Sequence, residues 1–291
     1  MSIEATRARF AGKAGQRPAG HVRAWDLPTR LFKWALVLLV LNAWLTNQQG
    51  DAGITWHIWN GYAILVLLAF RLLWGLVGSS TARFAHWVTW PWTALRYGFD
   101  LLQGRGRPYL SHNPLGGWMI ILLLAFVGSQ AIAGLFTVDN NGMYGGPFAN
   151  LDFGDPTPVQ RAMSRYHHLA FNLLLALVVI HVGVNLFYQF VKKDPVIGAM
   201  ITGKKPVEPF ADQTEMRPGR ALWLRAVLCL AAAAAIVLGG VKLLGGSLPW
   251  REGLPRGHPP HSITAALRMH TMVARPGASP TQRTVCGRSQ R

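Results

Sequence analysis

Apolar positions along this chain come in long blocks, not in short alternating periods. The first block lies in HVRAWDLPTRLFKWALVLLVLNAWLT, where Asp26 followed by Pro28 marks a helix start and the apolar run reaches Leu45. The second, HIWNGYAILVLLAFRLLWGLVG, runs from His57 to about Val77, and the third from about Leu115 to Phe136 behind His112-Asn113-Pro114. The fourth, YHHLAFNLLLALVVIHVGVNLFYQFVKK, has no Asp, Glu, Lys or Arg from Leu169 to Val191. Each block approaches or exceeds the ~20 residues that carry a helix across a bilayer. A weaker run rich in Ala and Gly extends from Ala226 to Val241. Between the second and third blocks, Trp92, Leu95, Phe99 and Leu102 recur at helical spacing. They predict a short amphipathic helix on the membrane surface, with Trp87 and Trp90 as interfacial anchors.

Charge gives the pattern a direction. Only 14% of the 291 residues are charged and 51% are hydrophobic, which is low charge for a soluble protein. The net charge of +17 lies mainly between the apolar blocks, as in membrane loops, and argues against nucleic-acid binding. Residues 1–33 hold seven Lys and Arg, residues 46–56 none, residues 78–114 four, residues 137–165 two and residues 192–225 seven. The positive-inside rule places the N-terminus and the second connection in the cytoplasm, and the first and third connections outside. A fifth crossing by residues 226–241 would leave a tail with seven Arg and one Glu outside, against that rule, so the fifth run is left open.

The predicted fold is an all-α integral membrane protein, a four-helix transmembrane bundle with a fifth C-terminal helix in question. Its expected parts are a disordered cytoplasmic N-terminus at 1–22 and the bundle at 23–205. A linker with the fifth run comes next at 206–245, then a disordered basic tail at 246–291. The first thirty residues are too polar and basic for a signal peptide. Cys229 lies in an apolar run and Cys286 in the tail, a poor disulfide pair. No C-x-x-C-H motif is present, which excludes the usual covalent heme attachment.

The histidines carry the chemistry. A histidine deep in a membrane helix is costly without a partner and marks a candidate functional site. His167 and His181 are fourteen residues apart in the fourth block. They share a helix face to within about 40° and stand about 21 Å apart along the axis. His168 points about 140° away from His181. Two imidazoles on one face at two depths suit axial ligation of two stacked hemes. His57 opens the second block at the outer level, where it can approach the same iron as His167; non-covalent bis-His heme is b-type. His181 lies at the inner level, and the residue opposing it on the first block is Lys33. Either Lys33 ligates or its amine snorkels to the surface, and the sequence favours snorkelling. Arg71 shares the face of His57 at the inner level, where a heme propionate or the surface could hold it; Arg30 has the same two readings, with snorkelling favoured. His112 suits a helix-start or loop hydrogen bond better than ligation, and His21 and His86 suit solvent. His258, His261 and His270 fall in the tail, and Asp139, Asp152 and Asp155 in the third connection.

The segments WDLPTRLFKW, HIWNGYAILVLLAFRLLWGLVG, HNPLGGWM, HHLAFNLLLALVVIHV and MITGKK together resemble the bacterial cytochrome b561 family, which includes the b-type cytochrome subunit of nickel-iron hydrogenases. The resemblance covers roughly residues 23 to 205. It implies a four-helix bundle holding two b hemes. It also implies electron transfer between a periplasmic or membrane-bound redox partner (a hydrogenase, another dehydrogenase or a c-type cytochrome) and the quinone pool of the cytoplasmic membrane. By position His57 and His167 match the outer-heme ligands, and His181 one inner-heme ligand. The family pattern reads R-L-F-H-W where this chain has Arg30-Leu31-Phe32-Lys33-Trp34. Two other readings stand beside it: a membrane anchor for a partner oxidoreductase with one heme site lost, and a transporter relaying protons through histidines. The absence of intramembrane Asp or Glu counts against the transporter.

Overall fold

The structure, a computed structural model, describes residues 20–138, 145–149, 156–246 and 248. Residues 1–19, Asp139, Asp152, Asp155, Cys286 and the three tail histidines lie outside the described residues. Seven α-helices are present among the described residues: α1 Leu27–Asn47, α2 Asp51–Val77, α3 Pro91–Leu102, α4 Pro114–Gly134, α5 Pro158–Leu186, α6 Val196–Thr202 and α7 Leu222–Leu243. Two short strands, β1 His21–Arg23 and β2 Lys204–Pro206, pair antiparallel with Val22 opposite Lys205. The helices α1, α2, α4, α5 and α7 are long and apolar enough to cross a membrane.

Local chemistry sets where these helices begin. The Asp26 carboxylate accepts the Thr29 amide at 2.6 Å, Asn113 accepts that of Gly116 at 2.7 Å, and Thr157 and Gln160 form a capping box. A proline opens the first turn after each cap, where its missing N–H costs nothing. Helix starts therefore need not coincide with the apolar runs. α2 starts at Asp51, six residues before the apolar run, and α5 at Pro158, well before Tyr166. His57 and His167 accordingly sit inside their helices and not at the mouths. At its far end α5 runs into a π-helical turn, Phe187–Val191.

The fifth apolar run is a full helix of the bundle. Ala226, Cys229 and Ala233 of α7 are buried in one cluster with Phe32, Phe70 and Trp74, and Val241 is buried with Tyr62. Small side chains let α7 lie along α2 from end to end. Ile64 and Leu68 of α2, Val127 of α4 and Leu174 of α5 form the core between the other spans, joined by Leu36, Leu39 and Val40 of α1. α3 turns its apolar residues outward, with Trp92 78% and Leu102 85% exposed. That is the arrangement of a helix lying in a lipid interface.

One end of the bundle, here the basic end, is closed by a polar cap that no sequence signal announces. The β1–β2 ribbon includes His21 and Val22, so ordered structure begins inside the stretch assigned to the terminus. The amides of Ala24 and Trp25 donate to the Gly203 carbonyl, and Gly203 sits at φ +80°, a conformation that favours glycine. The Asp212 carboxylate accepts the Leu110 and Ser111 amides and the Ser111 hydroxyl. Lys205 pairs with Asp194 at 3.0 Å and donates to the Tyr109 carbonyl.

Candidate functional site

At the end of the bundle away from the cap, α2 and α5 bring His57 and His167 together, their ring centroids 6.1 Å apart and nearly perpendicular. Each ring is fixed by a carbonyl of a neighbouring helix. His57 Nδ1 donates to the Ala43 carbonyl of α1 at 2.8 Å, and His167 Nδ1 to the Gln130 carbonyl of α4 at 2.9 Å. Gln130 returns the contact, its side-chain amide donating to the His167 carbonyl at 2.7 Å. With both Nδ1 atoms occupied as donors, Nε2 is the lone-pair nitrogen of each ring, the tautomer a metal ligand needs.

Two cavities flank the pair, of about 360 and about 130 Å³. Both are lined by His57, Gly61, Ala131, His167 and His168. Gly61 is one turn below His57, and a Cβ there would meet nothing within 4 Å. Gly134 is the opposite case: a Cβ would lie 3.2 Å from His167 Cε1, so its absence admits the ring. Among the described residues no group of three His, Cys, Asp or Glu could hold a bare metal ion. Two neighbouring imidazoles with free Nε2 atoms would suit an iron that already has its other ligands in a macrocycle. The pair and the space beside it fit a heme.

The other sequence candidates cluster at the basic end. His181 does not match the outer pair: its Nε2 accepts from the Asn185 side-chain amide at 3.2 Å, and that amide also donates to the His181 carbonyl. Lys33 does not snorkel. Its Nζ is buried without a hydrogen-bond partner, 3.6 Å from the centroid of the Trp25 ring. Arg71 is also buried, against Phe84 and Trp87. Arg30 donates to the Met200 carbonyl at 3.2 Å and so fastens α6 to α1. The helix-start role expected of His112 belongs to Asn113; His112 is sandwiched between Trp25 and Trp87. His21 and His86 are exposed, as expected.

Residues 24–203 match the family of prokaryotic cytochromes b561. The chain belongs to that family. It is 24% identical to a probable Ni/Fe-hydrogenase B-type cytochrome subunit of Rhizobium leguminosarum bv. viciae, over 70% of this chain and 97% of the relative. The relative of the same description from Azotobacter vinelandii is also 24% identical, over 70% of this chain and 96% of its own length. No solved structure matches the chain. This cytochrome is therefore a multi-pass membrane protein of b-type heme electron transfer. Several of its site groups escape a reading of histidines alone. Gln130 had a signal, since Ser129-Gln130 is a polar pair inside an apolar span. Gly61 had a weaker one, at four residues from His57.

Proposed function

We propose that this cytochrome passes electrons across the cytoplasmic membrane, from a redox partner outside to the quinone pool, using a b heme held by His57 and His167. The observation that carries the reading is the pair of imidazoles, each tethered through Nδ1 to a different neighbouring helix. Bound there, heme iron would accept and release one electron at a time. The chain's part is to hold both rings in one tautomer and to keep the surroundings apolar, with Ile64, Val127 and Leu174 lining the smaller cavity. The basic residues at the capped end support a cytoplasmic N-terminus. The relatives' names support a hydrogenase-like oxidoreductase as the partner. Vesicles reconstituted with the protein and given a membrane-impermeant reductant should reduce an enclosed acceptor, and His57→Ala should abolish this. Transfer in the variant equal to that in the unaltered protein would refute the assignment.

A second reading is favoured by one observation. Lys33 stands where the family pattern has histidine, and His181 Nε2 is engaged by Asn185. On that reading the chain anchors a partner enzyme and holds a single heme. Transfer across the membrane separates the two: one heme per chain with no vectorial transfer supports the anchor.

A further inference from the structure

Two cations from different spans end on one aromatic floor at the basic end. Lys33 of α1 lies over the Trp25 ring, and the Arg71 guanidinium of α2 lies 4.6 Å from the Phe84 centroid and 5.7 Å from that of Trp87. His112 joins the two halves, its ring 5.0 Å from Trp25 and 4.9 Å from Trp87. Lys33 Nζ and Arg71 Nη1 are both sealed from solvent and neither has a hydrogen-bond acceptor. Arg71 as a whole is 4% exposed. Aromatic faces offset part of the cost of burying a cation, but they do not accept its remaining protons.

The acids nearby do not balance this charge. Asp26 faces both cations, yet one oxygen accepts the Thr29 amide and the other the Ser79 hydroxyl. Asp194 is paired with Lys205. His112 contributes no third charge: burial above all, and then the positive charges of Lys33, Arg71 and Lys205, hold it well below its ordinary range. Two buried basic groups facing one committed carboxylate leave donor protons without acceptors, a state that proteins relieve by pairing.

We propose that Lys33 and Arg71 form a two-pronged clamp for a buried carboxylate or phosphate at the basic end, and that Lys33 serves there as an anion partner, not as an iron ligand. Lys33 is a compact ammonium placed against Trp25, and Arg71 supplies a planar donor edge; together they suit an anion with two or more oxygens. The anion can come from two sources. One is the propionate of a second heme seated at the level of His181, and the other is the phosphate of an anionic phospholipid drawn between the spans. The proposal rests on the outer-heme reading only in taking that heme's low-spin signal as the sign of a folded protein.

The test uses the full chain in phosphatidylcholine nanodiscs, with and without phosphatidylglycerol. Heme per chain is measured as the pyridine hemochrome and retained lipid by native mass spectrometry, for the unaltered protein, Lys33→Met, Lys33→Arg, Lys33→His and Arg71→Met. The propionate source predicts two hemes per chain, falling towards one in both methionine variants and kept in Lys33→Arg. The phospholipid source predicts one heme, with phosphatidylglycerol binding at least tenfold weaker in both methionine variants and kept in Lys33→Arg. The proposal is overturned if neither the second heme nor the lipid depends on these charges. It is equally overturned if a lost heme returns with Lys33→His but not with Lys33→Arg, the pattern of a ligand. If Arg71→Met loses the outer signal as well, the Lys33 variants decide. An unaltered protein lacking the outer low-spin signal would instead count against the proposed function.

Discussion

Replacing Gly61 separates the space beside the histidine pair from the stability of the helix that lines it. A Cβ at this position would meet nothing within 4 Å, and both cavities beside the imidazoles are lined by it. In the protein without heme, Gly61→Ala should raise stability by about 0.5–1 kcal/mol, because glycine loses more backbone freedom in a helix. Gly61→Leu should be close to neutral there, its side chain entering open space. With heme the sign reverses. Forcing a larger side chain into an occupied site costs about 1–3 kcal/mol. At ~1.4 kcal/mol per tenfold, heme affinity should fall roughly 5- to 150-fold for Gly61→Leu. Protein made under heme limitation is melted and then titrated with hemin, tracking the appearance of the low-spin spectrum. Unchanged hemin affinity in Gly61→Leu, or equal losses of stability with and without heme, would refute the placement of the cofactor in this slot.

Other perturbations bear on separate parts of the site. His57→Ala and His167→Ala should each abolish the same low-spin signal, whereas His168→Ala should leave most of it, read from reduced-minus-oxidised spectra. Gln130→Leu removes the amide that holds the His167 backbone and should weaken heme retention by about 10- to 100-fold in a hemin titration. Lys33→His should leave the pyridine hemochrome ratio at or below that of the unaltered protein, because the proposed role of Lys33 is to hold an anion; a rise towards two hemes per chain with a second low-spin signal would mark the position as a ligand site and count against the clamp. His112, buried and neutral, binds fewer protons folded than unfolded, so its share of stability is full above about pH 6.5 and is lost as pH falls below that value. Melting temperatures from pH 8 to pH 5 should therefore decline less in His112→Gln than in the unaltered protein.

The spans were legible because they are written in local terms, and His57 and His167 were placed at one level by loop charge, not by a local pattern. An apolar block of twenty residues needs no partner to be recognised, and fourteen-residue spacing fixes which histidines share a face. Asp26-Leu27-Pro28 and Asn113-Pro114 likewise mark helix starts on their own. The parts that could not be read are contacts between distant segments. Asp212 with Ser111, and β1 with β2, join residues about a hundred or more positions apart, and no periodicity announces them. Lys33 misled because its distance from the helix end suggests an easy route to water, while Trp25 folds back beneath it and closes that route. The basic charge of the tail behind the fifth run made that run seem unlike a span. Its alanines are what admit it against α2, a property of packing and not of topology rules.

The two tethers that orient the imidazoles also bear on how the protein is put together. Each joins sequence neighbours: α1 holds the ring of α2, and α4 holds the ring of α5. Each helical hairpin can therefore leave the insertion machinery with its own histidine already aligned, before the two hairpins meet. On the proposed ligation, heme would be the last component to arrive and would staple one half to the other. Because binding across the two halves would add to the packing of Ile64, Leu68, Val127 and Leu174 that already joins them, the supply of cofactor would raise the share of assembled protein without being required for its assembly.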